Sequence, residues 1–149
     1  MPGDERFLVL APTGRDGPLT CQLLARAGIA ADTCTDLETL CERVEQEGAA
    51  GILVAEEVMV ASGFACLRAL LLRQDSWSDI PILLFTGERA HAPAPPQTSA
   101  ILAPLGNVTL LDRPLRPITM VSAARAALRA RRRQYAARSE LERQKQAVE

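Results

Sequence analysis

The sequence has few aromatic residues: three phenylalanines, one tyrosine and one tryptophan, 3% of 149 residues. A core so short of rings has to be assembled from Leu, Val, Ile and Ala, which suits a sheet covered by Ala/Leu-rich helices and disfavours a β-sandwich. Apolar runs long enough to span a bilayer are missing as well. The amino terminus, Met1-Pro2-Gly3-Asp4-Glu5-Arg6, has neither the basic start nor the apolar stretch of a signal peptide. The expectation is a cytoplasmic chain without membrane contact. Cys21, Cys34, Cys41 and Cys66 match neither a zinc pair nor Cys-x-x-Cys, and read as thiols packed inside a reduced protein. The sole histidine, His91, sits in a proline-rich stretch with no Ser, Cys or acidic partner close by, and is given no catalytic role. Both phosphate-loop patterns, Gly-x-x-x-x-Gly-Lys-Ser/Thr and Gly-x-Gly-x-x-Gly, are absent. The segment 11–17 therefore reads as a turn from a strand into a helix, not a nucleotide site, and an enzyme with a bound cofactor is disfavoured.

What is present is a 48% hydrophobic chain of single-domain length, enough to close one core without disulfide or metal. Apolar runs at 7–10, 51–55, 81–85 and 108–111 read as strands buried on both faces, and 29–33 as a shorter one. Between them lie helical signals. Pro18 opens a helix with Leu19, Leu23 and Leu24 on one face and Gly28 as a left-handed cap. Asp36 caps a helix through Leu37, Leu40, Cys41 and Val44 to Gly48. Phe64, Leu67, Leu70 and Leu71 give a helix over 63–74, and the three prolines in 91–97 leave only 98–105 for the next one. Pro117 opens a long final helix. Five strands alternating with helices predict an α/β three-layer sandwich, a flavodoxin-like parallel sheet of order 2-1-3-4-5 with an extended C-terminal helix.

Carboxyl ends of parallel strands carry function in such sheets, and they gather Ala11-Pro12, Ala55-Glu56, Thr86-Gly87 and Arg113-Pro114. Over about residues 6–128 this pattern resembles the receiver domain of two-component response regulators, on three markers: the strand pattern, Thr86 after an apolar strand, and a basic-Pro step after strand five. The resemblance implies a pocket in which two acidic residues after strand one hold magnesium, an aspartate ending strand three takes the phosphoryl group, and a lysine after strand five reads it. Here those places hold Ala11-Pro12, Ala55 or Glu56, and Arg113. Ala and Pro offer no side-chain oxygen to magnesium, and glutamate carries its carboxylate one methylene too far for the same in-line geometry. The pocket is thus expected to be degenerate, with neither cofactor nor catalysis. Arg113 either lies at the surface beside an acidic residue or forms an Arg113–Glu56 ion pair that would imitate the occupied state, and Thr86 either keeps the switch hydroxyl or caps the loop after strand four. Asp16 reads as a turn or capping residue.

More narrowly, Ala11-Pro12-Thr13-Gly14-Arg15-Asp16, Trp77-Ser78-Asp79-Ile80-Pro81 and Gly106 through Pro114, followed by Arg131-Arg132-Arg133-Gln134-Tyr135, look like the amino-terminal receiver-like segment of certain bacterial sensor histidine kinases. That implies a receiver-like domain over 1–130 and a helical linker over 131–149 to a downstream kinase or sensory domain, since the helical pattern runs to the last residue. Working contacts would fall on the face made by 98–105, the fifth strand and the last helix. Val121, Leu128 and Tyr135, seven apart, suggest a coiled-coil seam and a homodimer, with Leu141 and Val148 in a shifted register. Six arginines and no acid between 125 and 138 raise a rival reading, nucleic-acid binding, which is disfavoured because no recognition motif or stacking aromatics accompany them. An active atypical receiver using Glu56 or Asp16 is the other alternative.

Overall fold

The computed structural model describes residues 2–11, 16–58, 65–86, 106–112 and 116–148. The expected helix over 98–105, His91, Phe64, Pro12 and Arg113 lie outside them. A single 3-10 turn, Pro2–Glu5, leads into β1 (Arg6–Leu10). Then follow α1 (Asp16–Arg26), β2 (Ala30–Thr33), α2 (Leu37–Glu47), β3 (Gly51–Ala55), α3 (Ala65–Leu72), β4 (Pro81–Thr86), β5 (Asn107–Asp112) and α4 (Pro117–Val148).

All pairings are parallel and the strand order is β2-β1-β3-β4-β5, as the alternation of strands and helices predicts. Because successive side chains in a strand point to opposite faces, the sheet divides its apolar residues between two cores. Leu8, Leu10, Ile52, Val54, Ile82 and Leu84 meet Leu37 and Leu40 of α2 and Leu67, Leu70 and Leu71 of α3. Phe7, Val9, Leu53, Leu83, Phe85 and Leu111 meet Leu24 of α1 and Met120, Ala124, Ala127 and Leu128 of α4. Each fully buried leucine or isoleucine contributes about 2 kcal/mol, and eleven large side chains, including Leu8, Ile52 and Leu84, are almost wholly excluded from solvent. The two cores make the three-layer sandwich.

Local chemistry explains where the helices start and stop. The amide of Thr39 donates to the Asp36 carboxylate at 2.7 Å, capping α2. α1 ends on Gly28 at φ +81°, where Ile29 donates to the Leu24 carbonyl at 2.9 Å and Gly28 to Ala25 at 3.0 Å. This paired closure needs a left-handed residue. One expected face is corrected: α1 begins at Asp16 and buries Gly17 and Leu24, so Leu19 is turned out and 55% exposed. β2 is the polar edge strand, mostly exposed. Among the described residues no helix is long and apolar enough to cross a membrane.

Candidate functional site

The carboxyl edge of the sheet can be read by register. Leu10 lies opposite Val54, Ala55 opposite Phe85, and Thr86 opposite Asp112. Ala55 is therefore the last residue of β3, buried at the central position of the edge, and Glu56 follows it in a short helical stretch. Thr86 ends β4 and is likewise buried, while Ala11 is half-buried just beyond β1. The expected group thus converges in part: Ala11, Ala55, Glu56 and Thr86 share one edge. Pro12 and Arg113, and with them the Arg113–Glu56 pair, lie outside the described residues.

The chemistry of this edge is sparse. Ala11 and Ala55 supply no nucleophile and no side-chain metal ligand, and among the described side chains of this edge the one buried carboxylate is Glu56, 8% exposed. A magnesium ion wants several hard oxygens in near-octahedral array, and this donor set does not fit it. Among the described residues no group of three or more His, Cys, Asp or Glu converges to hold a metal. Three of the four cysteines, Cys21, Cys34 and Cys41, make poor alternative nucleophiles. Burial raises the thiol pKa of Cys21 and Cys34, and that of Cys41 still more, where the neighbouring Cys66 thiol adds to it. A thiol held protonated is a poor nucleophile.

The opposite, amino edge of the sheet carries a denser cluster, which sequence reasoning missed. Tyr135, on α4, donates from its hydroxyl to the Ala49 carbonyl at 3.1 Å and accepts from the Ala49 amide at 3.2 Å. Arg131 donates from Nε to the same carbonyl at 3.0 Å, from Nη1 to Ser78 Oγ at 2.8 Å and Gln134 Oε1 at 2.7 Å, and from Nη2 to the Tyr135 hydroxyl at 3.2 Å. Both lone pairs of the Ala49 carbonyl and both of the tyrosine oxygen are thereby used. Arg131 is 3% exposed and touches no carboxylate, so desolvation lowers its pKa, yet guanidinium stays charged. Its charge also lies over the Tyr135 and Trp77 rings, 4.5 and 5.4 Å from their centroids, as does Arg138 at 4.7 and 5.1 Å.

Further bonds fasten α4 to both neighbours of this cluster. Gln134 exchanges hydrogen bonds with the Asp79 backbone, each 2.8 Å long. Glu5 accepts from Arg132 Nε through both carboxylate oxygens at 2.9 and 3.0 Å, and Asp4 pairs with Arg138 at 3.4 Å. Gly48 makes the approach feasible: at φ +78° it leaves room that a Cβ would fill, 2.6 Å from Asp4 Oδ1 and 3.0 Å from the Tyr135 hydroxyl oxygen. The groove beside the cluster, about 480 Å³, is lined by Asp4, Glu45, Arg73 and Arg138. Both signs of charge line it, so it favours no ligand charge.

These contacts correct two expectations. Leu128 and Tyr135 are buried against their own sheet and Val121 packs on the same core, so they are not free to line a seam with another chain. A boundary at 130 would cut through the packed unit, because Arg131, Gln134, Tyr135 and Arg138 all hold α4 to it. The arginine run is also not a bare solvated face. Arg125 donates to the Ala27 carbonyl at 3.1 Å, and with Arg131, Arg132 and Arg138 it makes four of the six engaged within the chain.

No protein-family model matches the sequence, and no curated protein does either. Solved structures do. Full-length FixJ from B. japonicum superposes with a TM-score of 0.70 at 19% identity, over 98% of this chain and 67% of that one. NtrX from Brucella abortus, in complex with ADP, gives 0.69 at 16% identity over 91% of this chain and 28% of that one. The chemotaxis response regulator CheY4 of Vibrio cholerae gives 0.66 at 20% identity, over 83% and 98%. The chain has the receiver fold. It spans 28% of the NtrX chain and nearly all of CheY4.

Proposed function

We propose that this chain is a receiver-like module that does not take phosphate, and that it serves a two-component sensor histidine kinase by passing state through protein contacts. The observation that carries this reading is Ala55 at the end of β3, the position where the receiver reaction requires an aspartate. Ala11 and Pro12 remove the metal side of the same reaction. With nucleophile and cation both missing, the electrostatic stabilisation of a transferring phosphoryl group has no source. The module is then no enzyme, and its output is the placement of α4.

Support for the kinase context comes from the narrow sequence resemblance to sensor-kinase amino termini and from a last helix that outruns the fold. The partners in this reading are a downstream kinase or sensory domain of the same chain and, through α4, a second copy, in the cytoplasm. The domain extends to Arg138 and the linker begins after it. Incubation with acetyl phosphate or phosphoramidate and magnesium, followed by intact mass, tests the reading: the mass is expected to stay unchanged. Gain of one phosphoryl group, mapped to Glu56, would establish an active atypical receiver instead.

A further inference from the structure

α4 outruns the body it packs on. Its sheet-facing residues Met120, Ala124, Leu128, Arg131 and Tyr135 are buried, Arg138 is half-buried, and every residue over 139–147 is exposed. The overhang, residues 139–148, extends about 15 Å at 1.5 Å per residue. Such a short helix would be marginal alone, but the docked turns before it supply the nucleus. Within it, Ala137, Leu141, Gln144 and position 148 fall at spacings of four, three and four, the pattern of alternating a and d sites. At about 100° per residue these positions lie roughly a third of a turn from the sheet-facing stripe. Leu141 is 47% exposed there.

The charges around this stripe choose a direction. With Leu141 at a, Glu140 occupies g and Lys145 the following e. In a parallel pair of helices g faces the next e, so Glu140 meets Lys145 of the partner subunit, twice by symmetry. An antiparallel pair sets g on g and e on e, bringing like charges together. Extending the pairing towards the amino end would set Arg133 at g against an e-site arginine, and this chain's Arg138 is already held by Asp4 and the Trp77 and Tyr135 rings. The seam therefore starts at Ala137. In the single copy Glu140 pairs with Arg143 on its own helix, an exposed contact that contributes little and is readily shared.

We propose that residues 137–148 of α4 form a parallel, in-register seam with a second copy of this chain, centred on Leu141 and oriented by Glu140 and Lys145. This rests on the dimeric reading above and replaces the seam through Leu128 and Tyr135. Gln144 at a d site makes it a weak, reversible pair.

Sedimentation equilibrium on the full chain, joined to disulfide trapping of Leu141→Cys and Gln146→Cys, tests it, with the unsubstituted chain controlling for the four native cysteines. A dimer is expected in which Leu141→Cys cross-links to its twin and Gln146→Cys, on the outer face, does not. Glu140→Lys or Lys145→Glu alone is expected to raise the dimer Kd about tenfold, since two symmetric pairs change at once, and the double exchange to restore it within about twofold. A dimer lacking the Leu141→Cys cross-link, or one that the double exchange fails to restore, overturns the seam and leaves dimerisation standing. A monomer at every concentration up to about 1 mM, where RT ln Kd is only about −4 kcal/mol, overturns both.

Discussion

Tyr135→Phe deletes one oxygen and with it three hydrogen bonds, to the Ala49 carbonyl, the Ala49 amide and Arg131. The buried Ala49 amide loses its partner, so a loss of about 1–3 kcal/mol is expected by urea unfolding. Two glycines give a matched comparison. Gly28→Ala meets nothing within 4 Å at φ +81° and should cost only the left-handed backbone, about 1 kcal/mol. Gly48→Ala, at φ +78° and ψ 174°, sits in a backbone region essentially confined to glycine and adds a clash with Asp4 and Tyr135, so it should cost clearly more in the same titration. Residues whose roles are local were legible in the sequence: Asp36 as a cap and Gly28 as a left-handed stop follow from chemistry within a few positions. Arg131 was not, because it sits among Arg132 and Arg133, where charge argues for solvent. Its signal was periodicity: 124, 128, 131 and 135, at spacings of four, three and four, share one helix face, and only one of the adjoining arginines can be on it. At the carboxyl edge, identity was legible but position was not; register is what assigns Ala55 to the end of β3. Ala55→Asp alone is accordingly expected to remain unphosphorylated by a small phosphodonor with magnesium, as read by intact mass, because Ala11 and Pro12 still offer the ion nothing.

At the scale of elements, α4 divides at Arg138. A chain ending at Ser139 keeps every bond between α4 and the base of the sheet, and its unfolding midpoint should match that of the full chain at concentrations where the latter is monomeric. A chain ending at Ala130 loses Arg131, Gln134, Tyr135 and Arg138 together, and should lose several kcal/mol or cooperative unfolding altogether, followed by far-UV circular dichroism in denaturant. The central strands were legible because a strand covered on both faces is a short unbroken apolar run, and β1, β3 and β4 each have that form. β2 was blurred by being an edge: Ala30 to Thr33 carries polar, mostly exposed residues, with Ile29 buried just before it. The length of α4 was legible from composition, but its attachment was not. That depends on Asp4, Glu5 and the 75–79 turn, which are distant in sequence and meet the helix only in the folded chain.

Among the described residues, two carboxylates have their pKa held down by hydrogen bonds and so tie stability to acid. The Arg132 guanidinium hydrogen-bonded to Glu5 holds its pKa below the usual glutamate value, and the Thr39 amide does the same for Asp36. A depressed carboxylate stabilises the fold above its unfolded pKa, and that contribution is lost as pH falls through the folded one. Stability should therefore be level from neutrality down to about pH 4 and fall below it. Asp36→Asn, which can still cap α2, should flatten part of that fall, as thermal midpoints measured from pH 7 downwards would show. The two edges of the sheet are joined by β3: Ala49, gripped by Tyr135 and Arg131, lies two residues before the strand whose last residue is Ala55. Trp77, which shares the base with Arg131 and Arg138, is the chain's single tryptophan. The molecule thus carries one intrinsic optical reporter, placed where the last helix is fastened. Undocking of that helix is expected to register in indole emission before the sheet's far-UV signal changes, so the fastening of α4 can be followed without a label.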